Sequence, residues 1–223
     1  MIPKKVLITG TNGMIGHEVL QLCLASNEVE SITSITRKAL IQESPKLKQI
    51  LHADMLNLGP IKHQLKDIDI VFFCLGAYTG SVSNEDLYKI TVDITRSFTD
   101  LIVKLNPDVQ FCFLSGQGAD STETSKVPFA RAKGMAENHL FQSGIKNIFI
   151  FRPGYIYPVV KRKEPNMLYR FFRVIYPILS LIYPNIGLDS QTLAKAMFIA
   201  GLHKNGKEIF ENREIKILAK EGT

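Results

Sequence analysis

Three glycines near the start of the chain have the spacing of a phosphate-binding loop. Gly10 follows an apolar run at 6–9, and Gly13 and Gly16 repeat at intervals of three before a helical pattern begins. The first glycine would permit the tight turn, the second a close approach to a pyrophosphate, and the third close packing of helix on strand. The N–H groups at the start of the helix would face the phosphates. A dinucleotide site is therefore predicted, with an ordinary tight turn as the alternative. The predicted loop comprises Gly10, Thr11, Asn12, Gly13, Met14, Ile15 and Gly16.

Two cations after the second predicted strand bear on which dinucleotide would bind. Arg37 and Lys38 follow the run Val29–Thr36, at its carboxyl end. An acidic residue about 20 positions beyond the loop would hold a free ribose 2′-hydroxyl, but Glu30 stands at the opposite end of that strand. Two cations suit a 2′-phosphate instead. The sequence favours NADP, with NAD as the alternative; exposed loop residues are the other interpretation of this pair.

Residues after the third predicted strand are candidates for the adenine half of a dinucleotide. Asp54 is placed to face the adenine amino group, and Met55 follows it.

Composition and charge describe an ordinary globular protein. The 223 residues are 45% hydrophobic and 22% charged, and the net charge of +6 is spread along the chain. That spread argues against nucleic acid as a partner. Three cysteines in apolar segments lack a paired motif, which indicates a reducing compartment. The histidines lack metal-ligand spacing, so no metal site is expected. No signal peptide or membrane-length apolar stretch is found, so the sequence predicts a cytoplasmic location.

Alternating apolar strands and helices must position these residues. Nearly continuous apolar strands separated by helices are typical of a parallel sheet covered on both faces. The fold class predicted is α/β: a Rossmann-like, doubly wound parallel sheet in one NAD(P)-binding domain spanning 1–223, with a part from about 155 to 223 covering the cleft. The predicted strands are 6–9, 29–36, 47–52, 68–75, 109–114, 145–151 and 208–218, and the main helices are 13–25, 84–105, 128–141 and 190–202, the last capped by Ser190.

The stretch 167–184 combines arginines, aromatic residues and aliphatic residues, and two prolines interrupt it. Covering the substrate cleft is its expected role. A face between copies in a homo-oligomer and peripheral contact with a membrane surface are the alternatives.

Taken together, the motifs at the strand ends resemble those of the atypical short-chain dehydrogenase/reductases, in particular the Tat-interacting-protein oxidoreductases and the small epimerase-like proteins. The motifs are GTNGMIG at 10–16, Arg37, Asp54, FFCLGAY at 72–78, LSGQGAD at 114–120 and FRPGYIYP at 151–158. The resemblance implies that the loop glycines contact pyrophosphate and that Ser115 bonds a substrate carbonyl. It also implies that the cofactor is lined by Leu75, Gly76, Ala77 and, near the nicotinamide, Pro153.

One position departs from that family. The family has a tyrosine four residues before a lysine, and here Phe129 precedes Lys133. By resemblance the lysine holds the nicotinamide ribose, whereas phenylalanine has no proton to give, and losing a positioned acid–base group costs about 10²–10⁴-fold in rate. A different phenol, a substrate that needs no protein acid, or binding without turnover would each accommodate the change. The candidate phenols are Tyr78, Tyr155 and Tyr157.

Two functions therefore stay open. One is an NADP-dependent oxidoreductase or epimerase-like enzyme with an unusual proton path, acting on an unidentified small molecule. The other is a non-catalytic protein that senses the dinucleotide and presents a surface to a partner protein. The role of Ser115 also has two interpretations: its hydroxyl could contact the substrate, or it could cap a turn.

Overall fold

A seven-stranded parallel sheet forms the centre of the protein. The computed structural model describes residues 2–77, 81–160, 173–176, 182–183 and 185–221. Within them the strand order is β3-β2-β1-β4-β5-β6-β9, and each neighbouring pair is parallel. The strands of this sheet are β1 Lys4–Thr9, β2 Val29–Thr36, β3 Leu47–Leu51, β4 Ile70–Phe73, β5 Gln110–Leu114, β6 Asn147–Arg152 and β9 Lys207–Glu211. The predicted Rossmann-like fold class is confirmed.

Helices cover both faces of the sheet. They are α1 Met14–Ala25, α2 Asn84–Tyr88, α3 Ile94–Leu105, α4 Pro128–Gln142, α5 Ser190–His203 and α6 Asn212–Glu221, together with a 3₁₀ helix Gly59–Gln64. Successive strand residues face opposite sides, so Val6 and Ile8 pack into a core with α1, α5 and α6. Leu7, between them, packs into a second core with α3 and α4. The apolar strands predicted from the sequence are buried for this reason.

A two-stranded parallel sheet lies beside the carboxyl ends of the central strands. It consists of β7 Tyr155–Tyr157 and β8 Gly187–Asp189. The chain from 190 to 221 then returns to the central sheet: α5 packs against the first core, and β9 pairs with β6 at one edge. Of the part predicted to cover the cleft, from about 155 to 223, Tyr155, Ile156 and Pro158 line the cleft, while 190–221 completes the sheet layers.

Two predictions about the last elements are wrong. The strand predicted over 208–218 ends at Glu211, and α6 begins at Asn212. Ile215, Leu218 and Ala219 are buried at helical intervals, which explains the helix. Asp189, rather than Ser190, caps α5: its carboxylate accepts the Thr192 N–H at 2.8 Å.

The long helix predicted over 84–105 is present with an interruption. A π-helical segment, Lys89–Asp93, joins α2 to α3. Ser83 caps α2 by accepting the Asp86 N–H at 3.1 Å. Among the helices of the described ranges, none has the length and apolar character needed to cross a bilayer.

Candidate dinucleotide-binding site

The glycine loop joins β1 to α1 at the point where the strand order reverses. Gly10 has φ +74°, and a Cβ there would lie 2.7 Å from the Cys74 carbonyl oxygen at the end of β4. A Cβ on Gly16 would lie 2.3 Å from the Gly10 carbonyl oxygen. Both positions therefore require glycine, one for its conformation and close approach and the other for packing. Gly13 is the N-cap residue of α1 and gives no side-chain cap, so the backbone at this helix end remains available to an anion.

Thr11 and Asn12 turn their side chains toward β2. The Thr11 and Ser34 hydroxyls are buried and 2.7 Å apart. Asn12 Nδ2 donates to Thr36 Oγ1 at 2.7 Å and to the Lys38 carbonyl at 3.0 Å. These bonds fix the loop to the carboxyl end of β2, where Lys38 stands exposed beside the loop. The side chains predicted to contact the cofactor therefore also set the position of the predicted 2′-phosphate cations.

Arg37 is exposed after β2, and within the described residues it has no ion-pair or hydrogen-bond partner. Asp54 is exposed after β3, and its carboxylate accepts the Leu56 N–H at 3.1 Å in a local turn. Met55 is buried in the second core. The structure thus leaves Arg37 and Lys38 accessible, whereas the Met55 side chain is buried in the core and its N–H bonds the Ala53 carbonyl oxygen at 3.2 Å.

A cleft of about 430 Å³ opens from the glycine loop along the ends of β4, β5 and β6. About half of the predicted site residues meet there, whereas Arg37, Lys38 and Asp54 do not line it. Its lining includes Gly13, Met14, Ile15, Leu75, Gly76, Ala77, Ser115, Phe129, Lys133, Pro153 and Tyr155. Gly76 has open space where a Cβ would stand, so this wall can accept a ribose or phosphate close to the backbone. The volume of the cleft, the glycines that line it and the uncapped start of α1 fit one part of an extended dinucleotide.

Lys133 is buried in the wall of this cleft, on α4. Its Nζ donates to the Leu114 carbonyl oxygen at 2.8 Å and lies 5.0 Å from the Phe113 ring centroid. Burial lowers the pKa of the Lys133 ammonium to about 8, and the Glu137 carboxylate opposes that shift. The lysine therefore stands ready to bond a ligand as a cation near neutral pH.

Phe129 precedes Lys133 by one helical turn, and its ring lies over Gly116. A Cβ on Gly116 would be 2.6 Å from the Phe129 Cζ, and the Lys133 Nζ is 6.0 Å from the Phe129 ring centroid. The predicted shared helix face is therefore present, with an apolar ring beside the lysine.

The Ser115 hydroxyl is tied to a buried ion pair that the sequence analysis missed. Ser115 Oγ donates to Glu137 Oε1, and Glu137 is almost completely buried. Arg152 holds the same carboxylate with Nε at 3.1 Å and Nη2 at 2.5 Å, and its Nη1 bonds Glu211 at 3.1 Å. These hydrogen bonds raise the pKa of Arg152. The available sequence signal was the four-residue spacing of Lys133 and Glu137, which places both side chains on one face of a helix.

Asn212 was also missed, and it holds the turn that carries Pro153. Its Oδ1 accepts the Gly154 N–H at 3.1 Å, and its Nδ2 donates to the Asn185 and Gly187 carbonyl oxygens at 3.0 Å each. No sequence signal pairs residues so far apart.

Of the candidate phenols, Tyr155 lines the cleft and Tyr157 stacks on Tyr176 with ring centroids 5.3 Å apart. Tyr78 lies outside the described residues.

Comparison with known proteins decides the family. A family model described as "NAD dependent epimerase/dehydratase family" matches residues 6–153. The chain belongs to that family. The match confirms the epimerase-like resemblance, and it ends at the turn that follows β6.

Curated relatives agree over much of the chain. Protein fmp52-2, mitochondrial, of Aspergillus terreus is 27% identical over 164 residues, or 71% of this chain and 69% of that protein. Protein fmp52-1, mitochondrial, of the same species is 26% identical over 88% of this chain and 87% of that protein. Protein FMP52, mitochondrial, of Candida albicans is 24% identical over 72% of this chain and 70% of that protein. These names overturn the predicted cytoplasmic location.

Solved structures share the fold at low identity. The Bordetella bronchiseptica enzyme WbmH, in complex with NAD⁺, aligns with a TM-score of 0.69 and 16% identity, covering 93% of this chain and 75% of that one. The UDP-glucuronic acid 4-epimerase of Bacillus cereus, in complex with NAD, aligns with a TM-score of 0.66 and 17% identity, covering 92% and 76%.

Proposed function

We propose that this protein binds a nicotinamide dinucleotide in the cleft and acts as an oxidoreductase without the family's phenol. The observation that carries the proposal is the meeting of the uncapped, glycine-edged start of α1 with buried Lys133 in one cleft. The pyrophosphate would lie at 10–16, and Lys133 would bond the nicotinamide ribose. When bound, the dinucleotide supplies the hydride chemistry. Structural neighbours solved with NAD support this reading.

NADP is proposed as the preferred form. Arg37 and Lys38 are exposed beside the loop end that Asn12 anchors, and two cations there match the charge of a 2′-phosphate. Glu30 is exposed near the beginning of β2, at the other end of the strand. A carboxylate so placed cannot hold the adenosine ribose.

Calorimetric titration with NADPH and NADH tests this preference. For wild type we expect NADPH to bind more tightly, and Arg37→Ala should reduce the ratio on the order of tenfold to a hundredfold, since charge-assisted hydrogen bonds are lost. Lys104→Ala, an exposed cation near the end of α3, is the matched control and should leave the ratio unchanged. If neither nucleotide binds at millimolar concentration, the proposal is wrong.

A non-catalytic dinucleotide sensor is the second candidate. The observation favouring it is the Phe129 ring packed over Gly116 in the family's phenol position. Such a protein would hold NADPH but show no cofactor turnover with carbonyl compounds, alcohols or quinones.

A mitochondrial location is proposed from the names of the curated relatives. Fractionation of cells that express the tagged full-length protein tests it, and recovery outside mitochondria would reject it.

A further inference from the structure

Ser115 sits on top of a buried, ion-paired carboxylate. Its N–H donates to the Phe151 carbonyl oxygen at 2.8 Å, which fixes the backbone at the end of β5. Below it, the Glu137 carboxylate comes from α4 and Arg152 from the end of β6. The side chain of Glu137 is 1% exposed and that of Arg152 is 15% exposed. The arrangement is therefore enclosed by protein rather than water.

A serine hydroxyl has one proton to donate and two lone pairs to accept with. In Ser115 that proton is donated to Glu137 Oε1. An ion-paired carboxylate accepts hydrogen bonds and gives none, and the charge of Glu137 is neutralised by Arg152. If the Ser115 proton turned toward the cleft, Glu137 Oε1 would keep only its 3.1 Å hydrogen bond from Arg152 Nε, and the hydroxyl lone pairs would face the buried carboxylate, which is costly. The hydroxyl therefore has only lone pairs left for the cleft.

We infer that Ser115 accepts, rather than donates, the hydrogen bond from the substrate, so that the cleft selects a hydroxyl-bearing substrate over the matching carbonyl compound. Glu137 is a positioning residue in this scheme, because it acts only through Ser115. The inference rests on the proposed dinucleotide function for its reaction: an alcohol would give its hydride to the oxidised nicotinamide and release its hydroxyl proton to water, leaving the carbonyl compound. The family resemblance implies that Ser115 donates a hydrogen bond to a substrate carbonyl, whereas here Ser115 is the acceptor.

The proton position can be observed directly by NMR. With serine-labelled protein, we expect a slowly exchanging, low-field hydroxyl resonance that is absent from Ser115→Ala and moves strongly upfield in Glu137→Gln. Ser121→Ala, an exposed serine, is the labelled control. The resonance should persist when the nucleotide and an alcohol are added. Absence of the resonance from wild type, or its loss on adding a ketone, would overturn the inference.

Ligand preference gives an independent readout. Protein saturated with tetrahydro-NADP, a reduced analogue that cannot transfer hydride, is titrated with cyclohexanol and with cyclohexanone. We expect cyclohexanol to bind roughly three- to tenfold more tightly, as one neutral hydrogen bond would give. Ser115→Ala should remove that preference, and Glu137→Gln should reduce or reverse it. A Ser115-dependent preference for cyclohexanone contradicts the inference.

The two proposals fail differently. If the nucleotide does not bind, the proposed function is wrong, whereas the hydroxyl resonance still reports whether Ser115 is committed to Glu137. If the nucleotide binds and the resonance is missing, only the inference about Ser115 is wrong. Should Glu137→Gln not fold, Ser115→Ala alone still tests both the resonance and the cyclohexanol preference.

Discussion

Phe129 is the residue that most alters the chemistry expected of the cleft. Lys133 is buried one turn further along α4, and Ser115 is committed to Glu137. Neither replaces a phenol directly, because Lys133 is proposed to hold the ribose and the Ser115 proton is engaged by Glu137, so neither is free to take a proton from an alcohol. The proposed reaction would therefore be slow unless Tyr155 or water takes the proton of the alcohol.

Restoring the phenol should raise turnover. Phe129→Tyr would place a hydroxyl on a ring that already lies beside Lys133. We expect the rate of NADP⁺ reduction by a panel of secondary alcohols to increase by about 10² or more, the usual contribution of general acid–base catalysis. Phe129→Leu is the control and should give no increase. An unchanged rate in the tyrosine variant would favour the sensor function.

Lys133 should make stability depend on pH. Burial lowers its pKa from 10.5 to about 8, so between those values the unfolded chain binds more protons than the folded one. The free energy of unfolding should therefore rise as pH increases from about 8 toward 10.5, and this contribution is lost as pH falls through about 8. Urea unfolding of wild type and Lys133→Met across this range measures it.

The difference between those two proteins isolates Lys133, since other groups titrate equally in both. Wild type should gain stability relative to Lys133→Met with rising pH. A difference that stays flat would show that the pKa of Lys133 is not lowered. Lys146→Met, at an exposed position, provides the comparison for loss of a surface cation.

Helices and strands could be predicted where the local pattern of apolar residues and glycines indicates them. Apolar strands followed by glycine, such as the one before Gly10, were predicted at the right places in the chain, and this gave the Rossmann-like fold. Their ends were less exact, since the strand predicted over 68–75 spans only Ile70–Phe73. The last helix was missed because Glu208–Phe210 and the start of α6 together look like one mixed run; only the spacing of Ile215 and Leu218 separates them. The glycine loop was predicted from spacing. Glu137, Arg152 and Asn212 could not be predicted in this way, because their hydrogen-bond partners are distant in sequence and become neighbours only in the folded protein.

Helix α4 depends on a close contact that no spacing indicated. A Cβ on Gly134 would lie 1.7 Å from the Asp120 carbonyl oxygen, which is backbone and cannot move aside cheaply. Gly134→Ala should therefore destabilise the protein by about 2 kcal/mol or more, and it should weaken NADPH binding because Lys133 is the adjacent residue. Urea unfolding and calorimetry measure these effects. Arg131→Ala, exposed on the same helix, should change neither property; a stable Gly134→Ala protein would contradict the contact.

For the whole molecule, the strand order brings distant segments to one edge of the sheet. The ends of β1, β4, β5 and β6 line the cleft, and Asn212 connects the turn after β6 to the small sheet. The cleft is consequently shaped by residues within the family-matched part of the chain and by residues beyond its end, since Asn212 lies well after 6–153.

Removing this connection should affect both stability and binding. Asn212→Ala leaves the Gly154 N–H and two carbonyl oxygens without their partner, and we expect a loss of about 1–3 kcal/mol together with weaker NADPH binding. Asn147→Ala is matched: its amide bonds Asp108 and Gly206 at the opposite end of β6. It should lose stability but keep the NADPH affinity of wild type. Equal affinity losses in both variants would show a general rather than local effect.

Strand β9 forms one margin of the central sheet, and in the described part of the chain it pairs only with β6. The unpaired side of an edge strand is a template to which another molecule can add a strand and so start aggregation. Lys207, Glu208 and Glu211 place both signs of charge along this short strand. The strand that completes the sheet thus also carries the side chains that discourage a second molecule from extending it.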